Sequence, residues 1–395
     1  MEIQLTRTKT ITIGGGPKRR KPADVVGLDL FSGDKRGCPA IRLSERKGAL
    51  HVVAAGFVPP PSASLPDSWE AASHGCTWSL PAAFQAPRAA LAVTSPDMFI
   101  AQTTQDAFRS DFSAGTHRIE EDAPAKPKKF SLRREEKAKA PPPATAPDAN
   151  APTPEPGVPV SNGGTRFVMK PISTEGDFVM EAGLPEYQVL WLSRLLPEGR
   201  RPTASSIQLR PAALTASILR QSAFAAAGGS ALALFVNEDG ANIVGYRDGD
   251  IALWRTCRHA PGWRAICDSL KSGLGLNDAM VSDVLNDNLI DPRPILGPIL
   301  APILDELSVS RDYLASKLGI DVKASFLMGV PAGATYWQAL AEERSRMTLI
   351  TPEVFDGLAV DGKIASDAAV SGPAANAFLG ALGAALALIG EEAKA

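Results

Sequence analysis

The chain has 395 residues, of which 45% are hydrophobic and 21% are charged, and its formal net charge is -2. This composition can bury a core and predicts two folded units plus connecting material, which excludes a wholly disordered chain. It also excludes nucleic acid as the main partner, because a nearly neutral chain has no positive field to neutralise phosphates.

Several kinds of site have no support in the sequence. The 4 cysteines and 4 histidines include no CxxC, HExxH or HxxxH spacing, so no zinc site is expected and the cysteines are expected to be reduced. Neither a GxxxxGK[ST] phosphate loop nor a GxSxG nucleophile elbow is present. The first residues alternate polar and apolar side chains instead of forming a signal peptide, so we expect a reducing, cytoplasmic location.

The first part of the chain predicts a series of short strands. Val25–Leu30 is an apolar run that ends in a turn, and Arg88–Val93 is a similar run further along. The remaining candidate strands are Ala40–Leu43, Leu50–Ala54 and Met98–Ala101. The runs Val25–Leu30, Ala40–Leu43 and Leu50–Ala54 indicate a β-meander, to which the other two add further strands.

A segment rich in proline, alanine and charge interrupts this pattern between Ala123 and Val160. It cannot bury enough apolar surface to fold, and its prolines favour extended conformations, so it predicts a disordered linker. Within it, Lys126–Arg134 is a basic cluster. This cluster is either a solvated charge run or a contact for acidic lipid or an acidic partner.

Replacing Ala123–Val160 by a short Gly/Ser segment is expected to leave the melting temperature unchanged. The segment offers few apolar contacts, and loop length adds only slowly to closure entropy. Thermal unfolding checks this expectation, and a fall of more than ~5 °C would show that the segment packs on the core.

After the linker, the pattern predicts strands and a helix and then a second meander. Val189–Ser193 is predicted as a buried strand, Ser205–Leu209 as the next strand, and Pro211 as the start of a helix that runs to about Ala225. The meander has turn pairs at Asp239-Gly240 and Asp248-Gly249. Its three strands are Ala231–Val236, Asn242–Tyr246 and Ile251–Arg255.

The last third of the chain alternates again between helices and a strand. Its predicted elements are a helix at Ile299–Leu318, a strand at Ala324–Met328, and helices at Tyr336–Arg346 and Ala374–Ile389. The final helix is apolar, but it is shorter than the ~20 residues of a membrane span and is rich in Ala and Gly, so we expect it to be buried. Meanders followed by helices, occurring twice, indicate two α/β halves.

Three strand-turn segments, in this order, resemble the loops of the actin-like ATPases of the PilM and FtsA kind. The first, Val25–Gly33, is an apolar strand that leads into a phosphate loop. Its matching positions are Asp29, Ser32 and Gly33. Phe31 stands where the family has glycine, and it obstructs the close approach of backbone N–H groups to a phosphate.

The second segment, Leu232–Gly249, is similar to the family's second phosphate loop and the hairpin that follows it. In the register set by the hairpin, Phe235 takes the family's second acidic position and Asn237 takes its glycine. A shifted register would use Asp239 and Gly240 instead.

The third segment, Phe326–Gly333, resembles the adenosine-binding turn, with Gly329 and Gly333 at its glycine positions and Val330 where the family has a second glycine. The closing run Ala377–Ala387 resembles the family's last helix, in which small residues allow close backbone approach.

This resemblance implies an α/β protein of the actin-like (ribonuclease H-like) fold with two halves and an inserted disordered linker. The expected divisions are an N-terminal tail at 1–22, the first half at 23–119 and 166–225, the linker at 120–165, the second half at 228–372, and a C-terminal helix at 373–395 that returns to the first half.

The resemblance also implies a function. It is that of a docking and coupling component of the type IV pilus assembly platform, at the cytoplasmic face of the inner membrane. The expected partners are the N-terminal cytoplasmic peptide of a PilN-like membrane protein and other platform components, through which the chain would reach the membrane. ATP and magnesium are the cofactors that the family suggests. Because Phe31 and Phe235 replace groups that phosphate and magnesium need, we expect weak or no ATP binding, no catalytic residue and no metal site.

Three other functions stay open on the sequence. One is a true ATP-dependent ATPase or kinase of the actin superfamily. Another is a filament protein of the FtsA kind, whose basic amphipathic C-terminal helix has no counterpart in Glu391–Ala395. The third is a GspL-like cytoplasmic scaffold of type II secretion, which would continue into a membrane span.

Overall fold

The computed structural model describes residues 23–104 and 167–394, apart from residues 31, 33–35, 75, 96, 176–177, 197–202, 239, 258–259, 288–289, 331–333, 368–369 and 371. In this part of the chain, the strands form three sheets and the helices pack on the first two. The predicted linker and N-terminal tail lie outside the described residues.

The first sheet has six strands in the order β14-β3-β2-β1-β4-β8. The first three strands form an antiparallel meander, and β4 and β8 run parallel to β1. Lys47 and Gly48 turn the chain between β2 and β3 with φ of 52° and 80°, which is typical of a tight hairpin turn. The strands are β1 (Asp24–Leu30), β2 (Cys38–Arg46), β3 (Ala49–Val58), β4 (Arg88–Val93), β8 (Thr203–Leu209) and β14 (Ala359–Val360).

The second sheet repeats this arrangement with the order β11-β10-β9-β12-β13. Its first three strands again form an antiparallel meander, and β12 and β13 again run parallel to the first strand. Asp248 and Gly249 make the turn between β10 and β11 with φ of 51° and 88°, as the turn pair predicts. The strands are β9 (Ala231–Val236), β10 (Ala241–Arg247), β11 (Asp250–Cys257), β12 (Ala324–Met328) and β13 (Leu349–Ile350).

A third, antiparallel sheet is formed by the chain between β4 and β8. Its order is β5-β7-β6, with β5 (Phe99–Thr104), β6 (Phe167–Glu175) and β7 (Phe178–Pro185). The strand at β5 was predicted from the sequence, whereas the hairpin of β6 and β7 was not. Pro171 inside β6 weakens the strand signal because proline has no N–H for the ladder. The Gly176-Asp177 pair in the sequence is the hairpin signal that would have revealed it.

Ten α-helices lie in the described residues. They are α1 (Trp69–Ser73), α2 (Glu186–Arg194), α3 (Arg210–Ile218), α4 (Ser222–Ala226), α5 (Trp263–Leu274), α6 (Asp278–Asp287), α7 (Arg293–Leu318), α8 (Ala334–Ser345), α9 (Gly362–Ala365) and α10 (Leu379–Lys394). Short 3-10 helices cover Ala82–Phe84 and Gly372–Phe378.

The prediction of a buried strand at Val189–Ser193 is wrong, because these residues belong to helix α2. Pro185 precedes the helix, Glu186 occupies its first turn and Arg194 its last, as suits the helix dipole. The apolar run is so short that its pattern fits a buried strand and a buried helix equally well. The predicted helix from Pro211 to about Ala225 is confirmed as helix but is divided between α3 and α4.

The other predicted strands and helices are confirmed. Among them is the Gly- and Ala-rich C-terminal helix, most of whose residues from Leu379 to Leu388 are buried. It packs on β1, β4 and α3. No helix in the described part of the chain combines the length and apolar character of a membrane span.

One buried cluster joins the two larger sheets. It contains side chains of β1 and β4 from the first sheet, of α3 and α10, and of β9, β10 and β12 from the second sheet. Phe224 of α4 contacts Tyr246 edge-on with ring centroids 5.8 Å apart, and the Tyr246 hydroxyl lies 3.1 Å from Thr215 Oγ1. Helices α3 and α4 therefore connect the two halves through a continuous apolar core.

Candidate functional site

The best-defined polar feature of this junction is the carboxylate of Asp29. Leu30, Val93 and Leu209 are register partners across the parallel strands β1, β4 and β8, so these strands end at one edge of the sheet. Arg210 follows directly as the first residue of α3. Its Nε donates to Asp29 Oδ2 at 2.8 Å, and both side chains are buried.

Helix α10 covers this edge in backbone contact with its neighbours. A Cβ at Gly380 would lie 2.1 Å from Asp29 Oδ2, and one at Gly27 would lie 1.8 Å from the carbonyl oxygen of Ala381. Ser217 of α3 donates from Oγ to the carbonyl oxygen of Leu379 at 2.7 Å. Glycine at these positions therefore lets the helix approach the sheet more closely than any side chain would allow.

The second predicted loop is the hairpin between β9 and β10. Asn237 donates its N–H to the carbonyl oxygen of Gly240 at 2.8 Å. At the start of α5, Trp263 and Arg264 donate their N–H groups to the carbonyl oxygens of Asn237 and Glu238 at 2.8 and 3.0 Å. The first N–H groups of a helix have no partner within the helix and are ready to bind anions. Here two of these N–H groups, those of Trp263 and Arg264, already donate to carbonyl oxygens of the hairpin.

Phe235 belongs to the buried cluster that joins the sheets and is 1% exposed. Along β9, alternate residues face different clusters: Ala231, Ala233 and Phe235 face the junction, whereas Leu232 and Leu234 face the other side. The register partners of Phe235 are Asn242 and Met328. Its ring therefore occupies an apolar position of the core.

Gly329 makes the third predicted turn directly after β12. Its φ is 78°, and a Cβ there would lie 2.1 Å from the carbonyl oxygen of Val236. Both facts require glycine, because a side chain would be strained in this conformation and would collide with backbone. Gly329 and Gly240 lie at the same end of the second sheet, since β9 pairs with both β10 and β12.

Four of the seven predicted site residues are described. Asp29 and Ser32 lie at the end of β1, Gly240 lies before β10 and Gly329 after β12, whereas Gly33, Asp239 and Gly333 lie outside the described residues. Their assignment to a nucleotide site stays a prediction. Sequence reasoning missed Arg210, although a charged residue between the end of a strand and the proline of a helix start was a visible signal.

While Arg210 pairs with Asp29, the surroundings of this carboxylate do not fit a magnesium ion. Magnesium requires octahedral oxygen ligands and usually keeps several waters, whereas this carboxylate is 0% exposed and lies against Arg210 and α10. Within the residues that the structure describes, no group of three or more His, Cys, Asp or Glu side chains is placed to hold a metal ion.

The repeated strand order, the parallel fourth and fifth strands and the helices at the junction define an actin-like, ribonuclease H-like fold of the α/β class. Among solved structures, the chain is similar to the PilM-PilN type IV pilus biogenesis complex with 12% identity and a TM-score of 0.56. The match covers 92% of this chain and 99% of that one. The likeness is one of fold over the whole length.

Two further structures show weaker likeness. One is a Bacteroides thetaiotaomicron protein of actin-like ATPase fold and unknown function, with 9% identity, a TM-score of 0.37 and coverage of 90% of this chain and 95% of that chain. The other is the cytoplasmic domain of EpsL from Vibrio cholerae, an inner membrane component of type II secretion, with 11% identity, a TM-score of 0.27 and coverage of 60% and 71%. No protein-family model matches the sequence, and no curated protein matches it significantly.

Proposed function

We propose that this chain is a docking and coupling component of a type IV pilus assembly platform. In this role it binds the N-terminal cytoplasmic peptide of a PilN-like membrane protein at the inner face of the inner membrane. The observation that supports the proposal is the full-length likeness to the PilM-PilN complex, which covers 92% of this chain. The other platform components are further partners in this proposal.

An exposed apolar surface on the first half offers a place for such a peptide. Trp69 of α1 is 49% exposed and Leu190 of α2 is 36% exposed. Tyr187 lies one helical turn before Leu190, and its ring contacts that of Trp69 edge-on with centroids 6.0 Å apart. We call the exposed Trp69 and Leu190, together with the buried Tyr187 (8% exposed) that contacts Trp69, the Trp69 surface. Exposed aromatic and apolar groups of this kind anchor peptides at interfaces.

The Trp69 surface has acidic neighbours. Asp67, Glu70 and Asp97 are exposed, and burial together with the charges of Asp97 and Asp67 raises the pKa of Tyr187. Cytoplasmic segments next to membrane helices carry an excess of Lys and Arg. An apolar surface with acidic neighbours therefore suits the cytoplasmic end of a membrane protein, because its basic residues would meet opposite charge.

The proposed role requires no ATP hydrolysis. The Asp29 carboxylate already pairs with Arg210, and Phe235 is part of the apolar core, so the proposed role relies on neither position to bind a nucleotide. A short peptide binds with modest affinity because ordering it costs free energy. Several copies of the chain in one platform would raise the effective affinity.

Titration of a labelled synthetic peptide tests this proposal. The peptide is the cytoplasmic N-terminus of a PilN-like membrane protein, and fluorescence anisotropy measures its Kd. We expect binding to the native chain and an affinity at least ~10-fold lower for Trp69→Ser, because interface aromatic residues contribute much of the binding free energy.

Val309→Ser is the matched control, since Val309 is a 52% exposed apolar residue on α7. This variant is expected to bind the peptide like the native chain. The form in which a Gly/Ser segment replaces Ala123–Val160 is also expected to bind equally well. Binding to the full-length form alone would place the site on the basic cluster of the linker, and absence of binding to both forms would contradict the proposal.

A further inference from the structure

The positive charge that pairs with the Asp29 carboxylate is a side chain of the protein, that of Arg210. Arg210 and Asp29 are 181 positions apart in the sequence, and their Nε and Oδ2 atoms are 2.8 Å apart. The guanidinium is 8% exposed and the carboxylate 0%. Two charges that have both lost their water are tolerated only when they are closely paired, and removing one partner of such a pair is strongly destabilising.

Helix α10 packs against this pair at Asp29. The close approach of Gly380 to Asp29 leaves no space for even one additional carbon atom at this point. Ser217 fixes the start of the helix to α3 through its bond to the Leu379 carbonyl oxygen. The pair therefore lies where three elements meet, namely β1, α3 and α10.

We propose that the Arg210 guanidinium is the resident cation of Asp29 and stands in place of a divalent ion, so that α3 and α10 are held on β1 without any nucleotide. This inference rests on the proposed function, in which docking needs no ATP. It adds a structural reason for that independence from nucleotide. It also accounts for an aspartate at the predicted first phosphate loop that serves no metal.

Thermal unfolding of Arg210 variants in magnesium chloride and in sodium chloride of equal ionic strength tests this inference. The native melting temperature is expected to be the same in both salts. Arg210→Ala is expected to melt at least ~5 °C lower in sodium chloride, and magnesium is expected to recover at least half of this loss. Magnesium is expected to have no effect on the double variant Asp29→Asn with Arg210→Ala, which lacks the buried carboxylate.

Two results would overturn the inference. One is a change in melting temperature with magnesium that is equal, or absent, in the native protein, in Arg210→Ala and in the double variant. The other is recovery of Arg210→Ala by low millimolar guanidinium but not by magnesium, which would show a structural ion pair that has no relation to a metal site.

A second measurement applies if Arg210→Ala does not fold. Calorimetry of native protein with magnesium and ATP is expected to show no heat of binding. Heat that disappears in Asp29→Asn would overturn the inference, because Asp29 would then serve a metal while Arg210 is present. The peptide titration is independent of this result. If the peptide binds and the nucleotide heat depends on Asp29, only the resident-cation inference is contradicted. If neither the peptide nor the nucleotide binds, only the docking proposal is contradicted.

Discussion

Gly383→Ala is expected to destabilise the protein by at least ~3 kcal/mol, whereas Gly390→Ala in the same helix is expected to leave the stability unchanged or raise it by up to ~1 kcal/mol. A Cβ at Gly383 would lie 1.8 Å from the carbonyl oxygen of Ala213, whereas no described atom from outside its own helix lies within 4 Å of a Cβ at Gly390. Because the first obstacle is backbone, α10 must move away from α3 to make room.

Urea unfolding followed by circular dichroism measures both changes. Comparing the two variants separates steric collision from helix propensity, because Gly→Ala raises the helix propensity of α10 equally at both positions. Equal stability of the two variants would show that α10 does not lie in backbone contact with α3, and the described junction would then be wrong.

Phe235→Asp is expected to destabilise the protein by at least ~4 kcal/mol, against about 1 kcal/mol for Phe235→Leu. Phe235 is 1% exposed in the cluster that joins the two sheets. Leucine keeps most of the apolar contacts there, whereas a carboxylate would be buried without a partner. Placing an acid at this position would therefore cost stability.

The destabilisation by Phe235→Asp is expected to be smaller at pH 5 than at pH 7.5. Burial raises the pKa of a carboxyl group, so the folded variant takes up a proton at a higher pH than the unfolded chain, whose aspartate has a pKa near ~3.9. The stability of the variant relative to the native protein then falls as the pH rises from the pKa of this aspartate in the unfolded chain towards its pKa in the folded protein. A penalty that is the same at both pH values would place residue 235 in contact with water.

The repeated sheet order could be predicted because each half begins with its own meander. Asp248-Gly249 is a turn pair whose backbone conformation few other residues adopt, and the alternation along β9 follows from strand geometry alone. Local chemistry of this kind is visible in one sequence. The C-terminal helix was predicted to be buried for a similar reason, since its small residues indicate close packing.

The features that were missed have two causes, a local ambiguity and contacts between distant parts of the chain. Helix α2 was predicted as a strand because an apolar run of this length does not distinguish the two. The ion pair of Asp29 and Arg210 joins residues 181 positions apart, and no local pattern relates them. Likewise, the contact of Gly380 with Asp29 follows from how α10 returns to β1, which periodicity does not reveal.

The measurement that tests the central claim most directly is titration of the PilN-like peptide into the native chain with and without magnesium and ATP. The account predicts a measurable Kd that is the same in both conditions, because the Trp69 surface binds the peptide and the junction at Asp29 responds to no nucleotide. A Kd that changes by ~10-fold or more on adding magnesium and ATP would reveal a coupling of ~1.4 kcal/mol between the two sites. That result, or the absence of binding in both conditions, would contradict the account.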